Sequence, residues 1–408
     1  MPEFSLLLTV ITIALVMFVV LTVVAYLVMA ERWLSAWMQD RIGPNRVGPF
    51  GMLQPLADGI KMFLKEDIIP DHVDRLFYVL APGIAVTTAL LAIAVVPFGA
   101  TVPPPLPQPD VATYQQTLET YRAQVATSRA VIAPGVDIGI LFAFAVTSLA
   151  VYGIILGGWS SNNKYSMLGS LRSSAQLISY EIPLGLSVLG VMLFSGSLNL
   201  ETIIDDQVRH GWNILYQPLA FLLFLTGVFA ECNRLPFDLP ECESELVGGY
   251  HTEYSSMKFG LFFLAEYTHM ITTSLMLSVL FLGGWSFPGL DHFTGWTGWA
   301  IKLGVVLAKL FFFIMVYMVV RWTILRFRFD QLMHLAWKVM IPLATLNVLA
   351  AMIVREFHGS RWWMLAASIA LIIGWGFLEI LTATGRINRP HRRLRSEIDG
   401  SLIPATTR

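Results

Sequence analysis

Apolar runs of about twenty residues, separated by polar stretches that hold most of the charge, repeat along the whole chain. They fall at roughly 6–29, 77–97, 137–157, 176–194, 214–230, 259–283, 303–321, 338–354 and 362–381. About twenty apolar residues is what a helix needs to cross a hydrocarbon core of ~30 Å. A helix closes its backbone hydrogen bonds within one segment, as a bilayer demands. The pattern therefore predicts an all-α polytopic membrane protein of about nine transmembrane helices. The last two runs are short and close together, which leaves eight as the alternative count. The first run lacks a basic leader and a small-residue cleavage site, so it reads as a retained span rather than a signal peptide.

The polar stretches differ in character. After the first run, RIGPNRVGPFG breaks the helix with Gly-Pro pairs. Leu53, Leu56, Ile60, Phe63 and Leu64 then recur at helical spacing, with Asp58, Lys61 and Lys65 turned elsewhere. That pattern predicts an amphipathic helix of about three turns at the membrane interface. On periodicity alone, it is a surface anchor. A long loop, 98–136, holds the Pro-rich PFGATVPPPLPQPD and then a polar stretch fit for a short surface helix. It reads as a spacer or a subunit contact. With no internal repeat, residues 1–408 read as a single transmembrane domain. Its landmarks are a loop with the amphipathic helix (31–75), the Pro-rich loop, an acidic loop (231–258) and a basic tail (386–408).

Charge orients the bundle. The chain is 55% hydrophobic and 13% charged, with a mean hydropathy of +0.64. Most Lys and Arg fall on one side: Arg32 to Arg75, Lys164, Arg172, Arg234, Lys258, Arg321 to Lys338, and the tail. The opposite loops hold only Arg122, Arg129, Arg209, Lys302, Arg355 and Arg361. The positive-inside rule makes the first side cytoplasmic, with the N-terminus outside and the C-terminus inside. Cys232 and Cys242 lie on the reducing side, so a disulfide is not expected, and no Cys/His spacing suits a metal or an iron–sulfur cluster. No nucleic-acid partner is expected.

Against this apolar background the segment 230–253 gathers Glu231, Asp238, Glu241, Glu243, Glu245 and Glu253, with Arg234 the fixed positive charge among them. Its hydrophobes (Leu235, Pro236, Phe237, Leu239, Pro240, Leu246, Val247) alternate with the charges. A solvated acidic run lacks these, so the loop is expected to fold back between helices, where irregular backbone is tolerated if it lines a cavity. Two further acids sit inside spans: Glu181 at the start of the fourth and Glu266 seven residues into the sixth. An unpaired charge near the bilayer centre costs roughly 2.5–3.5 kcal/mol on insertion scales. Carboxylates this close titrate as a coupled set. Such a set suits holding and passing protons; a packing hydrogen bond from a protonated acid is the bland alternative.

Four long blocks carry a family resemblance: ERWLSAWMQDRIGPNRVGPFGMLQPLADGIKMFLKE (31–66), WSSNNKYSMLGSLRSSAQLISYE (159–181), AECNRLPFDLPECESELVGGYHTEYSSMKFGLFFLAEY (230–267) and RWTILRFRFDQLMHLAWKVMIP (321–342). In content and order they resemble the quinone-site membrane subunit of respiratory complex I, the proton-pumping NADH:quinone oxidoreductase. That subunit is called H in bacteria and 1 in mitochondria. The resemblance implies a multi-pass subunit of a translocase in a bacterial inner membrane, joining the membrane arm to the peripheral arm. Quinone would be its substrate, entering from lipid between the first and sixth spans and the interfacial helix. Reduction would come from an iron–sulfur cluster in a peripheral-arm subunit, so this chain needs no metal, flavin or cluster. Partners would be that subunit, its peripheral neighbours, the adjacent small membrane subunits, lipid and quinone.

Carried over by motif, Arg32, Arg41, Asp58, Glu66 and Arg234 belong to the quinone tunnel or chamber. Glu181, Glu231, Asp238, Glu241, Glu243, Glu245, Glu253 and Glu266 belong to the proton relay. On that view the interfacial helix is more than an anchor, and the loop 31–75 is the quinone entrance. Departures from the family pattern are Trp33, where a basic residue is usual, and Asp40, where an apolar one is common. The last span and the tail extend beyond the shorter mitochondrial form. Two other readings use the same residues: a homologous subunit of a membrane-bound hydrogenase or other non-NADH quinone reductase, and a stand-alone cation transporter.

Overall fold

The computed structural model describes residues 6–99, 136–238, 247–289, 295–357 and 359–387. The Pro-rich loop's expected surface helix, Glu241, Glu243 and Glu245, and the basic tail from 388 onward lie outside these. All regular structure among the described residues is helical.

Helix α1, Leu6–Met38, runs past the predicted end of the first span. The stretch ERWLSAWM contains no helix breaker, and the first Gly-Pro pair arrives only at Gly43. Glu31 and Arg32 are therefore helical rather than part of a loop. The amphipathic segment forms α2, Gln54–Leu64, eleven residues long as expected. Leu56, Ile60, Phe63 and Leu64 stay exposed on it. Helix α3, Arg75–Ile93, is capped by Asp74, whose Oδ1 accepts from Leu76 N at 3.2 Å.

α4, Gly139–Ser160, packs on α3 through small residues. A Cβ on Gly153 would stand 3.1 Å from the Ala81 carbonyl oxygen, the close approach that apolar helices use in lipid.

α5 departs most from expectation. It spans Lys164–Ser195, starting twelve residues before the predicted boundary at 176. Asn163 caps it by accepting from Tyr165 N at 3.0 Å. The early turns look polar by hydropathy, yet Ser166, Gly169, Ser170, Ser173 and Ser174 are a buried stripe of small residues. Ser166 donates to the Tyr250 carbonyl at 2.9 Å, and a Cβ on Gly169 would lie 2.6 Å from Gly249 Cα. Glu181 consequently stands beyond the middle of a long helix, not at the start of one.

Short helices α6, Leu200–His210, and α7, Asn213–Tyr216, lead into α8, Pro218–Glu231. With 14 residues, α8 is about 21 Å long at ~1.5 Å per residue, short of a full bilayer crossing. α9, Ser256–Leu282, is the hub: every residue from Tyr267 to Phe281 is buried. Its polar content sets it apart from the seven helices, among the described residues, that are long and apolar enough to cross a membrane. All nine predicted runs thus coincide with helices, but α8 is too short and α9 too polar to be identified as spans by length and composition.

α10, Gly295–Thr323, and α11, Phe329–Glu356, follow. α11 widens to a π turn over Leu335–Met340, just before Pro342; proline cannot donate to the ladder, and a π turn absorbs the slip. α12, Arg361–Ile387, completes the described chain. The outside of the bundle presents large apolar side chains, among them Phe18, Leu141, Phe312 and Ile373, as a lipid-facing surface does.

Candidate functional site: two cavities on either side of one helix

The acidic loop folds back as expected where it is described. Cys232, Phe237 and Asp238 are buried, as are Tyr250 and Tyr254 in its second half. Gln176 of α5 pins the turn, donating from Nε2 to the Ala230 and Phe237 carbonyls, both at 2.8 Å. Burial pushes the Cys232 thiol up to about 12, which makes it an inert core group. Burial holds His251 at about 4, against a smaller pull upward from Asp238.

The larger cavity, about 750 Å³, lies between α1, α2 and α9. Val24, Val28, Met62, Phe263 and Leu264 give the cavity apolar walls, while Glu31, Arg32, Arg41, Asp58, Tyr267 and Arg321 line its polar parts. Arg32 reaches across from α1 to Asp58 on α2 at 2.6 Å, and Gln54 also donates to Asp58, at 2.9 Å. The interfacial helix is thus a wall of the cavity, held by its acid.

Glu31 is the centre of the polar end. The Tyr267 hydroxyl donates to it at 2.6 Å, Arg321 donates to its Oε1, and Arg234 approaches both oxygens at 3.4 Å. The Arg234 guanidinium also lies 4.2 Å from the centre of the Tyr267 ring. One carboxylate therefore ties α1, α9, the end of α10 and the acidic loop together. In the sequence Glu31 opens a motif without standing out from it. Its signal is an acid at the edge of an apolar run, on a helix that hydropathy ends too early. Arg321, a flanking positive charge by its position in the sequence, is brought beside the acidic loop through the same carboxylate.

The second cavity is small, about 50 Å³. Three carboxylates from three helices line it: Glu181 of α5, Glu231 at the end of α8 and Glu266 of α9. Ser148 of α4 donates to Glu181 Oε1, and Tyr250 donates to Glu266 Oε1 at 3.4 Å. A water needs roughly 10–15 Å³ of such space, so a few fit. The lining also holds His269, Thr147 and Asn233.

The remaining candidate residues separate from these cavities. Asp238 is buried in an ion pair with Arg326 at 2.8 Å. Glu253 accepts from Asn163 at 2.6 Å, and its carbonyl accepts from the Tyr78 hydroxyl at 2.7 Å, so it fastens the loop to α3 and α5. Glu66 is exposed beyond the end of α2 and lines neither cavity. Among the described residues no group of three or more His, Cys, Asp or Glu is placed to hold a metal ion.

The two cavities are separated by little more than α9 and the turn before it. Glu266 lines one and Tyr267 the other; Asn233 lines one, and Arg234 pairs with Glu31 of the other. A helical bundle with seven helices, among the described residues, long and apolar enough to cross a membrane, and a carboxylate-lined cavity beside a central helix, defines a polytopic membrane protein. A family model described as NADH dehydrogenase matches residues 11–352. Similar proteins include several bacterial H subunits of NADH-quinone oxidoreductase. The form numbered 1 in Cytophaga hutchinsonii is 47% identical over 336 residues, which covers 81% of this chain and 91% of that protein. The form numbered 2 in Koribacter versatilis is 49% identical over 84% of this chain and 96% of its own. That numbered 2 in Geobacter sulfurreducens is 50% identical over 83% and 93%. The chain belongs to the NADH dehydrogenase family.

Proposed function

We propose that this chain is the quinone-site membrane subunit of a bacterial NADH:quinone oxidoreductase, forming the quinone chamber with peripheral-arm subunits and coupling quinone reduction to proton translocation. The observation that carries the reading is the pair of cavities back to back on α9. The larger one has apolar walls for an isoprenoid tail and a polar end in which Arg32, Arg41 and Arg321 outnumber Glu31 and Asp58. That balance favours negative charge developing on a headgroup as it is reduced. The smaller one gathers carboxylates that share protons as a set.

Electron transfer to the quinone draws in protons, and charge at the polar end acts across one helix on Glu266 and, through the 231–234 turn, on Glu231. In low dielectric such a charge is felt strongly. Electrons would come from an iron–sulfur cluster of a peripheral partner; this chain's part is to seat the headgroup and move protons at Glu181, Glu231 and Glu266. The orientation that fits has the N-terminus outside, the C-terminus cytoplasmic, and residues 1–408 acting as one transmembrane domain. The relatives' name favours an NADH-oxidising complex over a hydrogenase.

In the assembled complex, Glu181→Gln and Glu231→Gln should each lower quinone reduction and the accompanying proton uptake while leaving assembly intact. Full activity and full pumping in both variants would remove the relay.

A further inference from the structure

We propose that His269 is a proton-carrying member of the acid-lined cavity, beside the three carboxylates; this rests on the reading that the cavity passes protons. His269 lies three residues after Glu266 on α9, so the two share a face of the helix. Both line the same cavity. His269 is 8% exposed, and its Nδ1 finds no hydrogen-bond partner among the described residues. A core histidine kept only for packing has both ring nitrogens satisfied or solvated, because a buried polar atom left alone costs about 1–3 kcal/mol. Here the residue that carries the unpaired nitrogen lines a cavity with room for water.

The titratable groups around the ring come from every element packed on this space: Glu181 from α5, Glu231 and Cys232 from the end of α8, Tyr250 from the loop, and Glu266 from α9 itself. The described lining holds no lysine or arginine, so His269 is the one side chain in it that can become positive. Imidazole accepts a proton on one nitrogen and releases one from the other, which leaves it as the opposite tautomer until the ring turns or the protons step back. His269 thereby takes a proton from Glu266, directly or through water, and gives one up to Glu181 or Glu231, which restores its charge but not its tautomer.

The test uses the intact complex in sealed membrane vesicles, with His269→Asn, His269→Phe and, as a marker for the cavity, Glu181→Gln. We expect His269→Asn and Glu181→Gln each to lower kcat for quinone reduction and the rate of proton uptake at least about tenfold, below the ~10²–10⁴ of a fully committed proton donor because water shares the task. KM for quinone should stay unchanged, and the pH profile of His269→Asn should lose a limb that wild type has. His269→Phe keeps the volume without any ring nitrogen and should be at least as slow; should it fail to assemble, the Asn variant decides alone. A His269→Asn enzyme at the wild-type rate, or one slowed with an unchanged pH profile, overturns the proposal while Glu181→Gln remains impaired. Wild-type behaviour in Glu181→Gln as well would instead bring down the reading on which it rests.

Discussion

Two ion pairs in the larger cavity differ in burial, and that difference sets the size of a measurable effect. Glu31 is only 10% exposed at its side chain, and its partners Arg234 and Arg321 are 11% and 33% exposed. Arg32 and Asp58 are closer to a surface pair, at 47% and 32%. Removing one partner of a buried pair costs about 3–5 kcal/mol, since the other charge is left uncompensated. Glutamine at position 31 still accepts from Tyr267, and Arg234 keeps the Tyr267 ring, worth ~0.5–2 kcal/mol. The cost of Glu31→Gln should therefore fall at the lower end, about 3 kcal/mol. Asp58→Asn should cost no more than ~1 kcal/mol, as exposed pairs do. Equilibrium unfolding of the detergent-solubilised protein gives both numbers. A double-mutant cycle with Arg234→Met should return most of the Glu31 effect as coupling. Equal, small losses for Glu31→Gln and Asp58→Asn would refute the role of Glu31 as the junction of four segments.

Other outcomes follow from the same contacts. Gln176→Leu strands the Phe237 carbonyl, leaves the Ala230 carbonyl with the Asn233 N–H at 3.3 Å, and should destabilise by about 1–3 kcal/mol, read by the same unfolding measurement, with quinone reduction falling in parallel. Gly169→Ala forces a methyl against the backbone at Gly249 and should cost ~1–3 kcal/mol; a neutral result would show that α5 and the 249–251 turn do not pack so closely. His251 is held near 4 when folded, below its unfolded value of about 6.5. The stability this gives is complete above pH ~6.5 and is lost as pH falls toward 4, to the order of 3 kcal/mol, so His251→Gln should flatten the acid limb of a stability–pH curve.

The bundle is legible in the sequence because hydropathy at the twenty-residue scale is imposed by the bilayer itself. What hydropathy misjudges are boundaries set by packing. The serine and glycine stripe of α5 reads as a polar loop until Gly249 and Tyr250 are seen against it, and α1 continues through charged residues because nothing in ERWLSAWM breaks a helix. Of the candidate site, Glu181, Glu231 and Glu266 stand out as acids in or beside apolar runs, and the structure brings them into one cavity. Asp238 and Glu253 stand out by the same rule but serve as an ion pair and a fastener, since one-dimensional spacing does not say which partner an acid meets. Glu31, Tyr267 and His269 escape notice in the sequence. Each acts through a long-range contact or a shared cavity wall, and neither leaves a mark in local pattern.

Whether quinone occupies the larger cavity can be asked by photolabelling the intact complex with a quinone analogue that carries a photoreactive group on its tail, followed by mapping of the labelled residues. Label is expected on the apolar walls between α1, α2 and α9, at Val28, Met62 and Phe263, and should be lost when excess quinone competes. Competable label confined to other helices, with these three positions untouched, would contradict a quinone seat in this cavity.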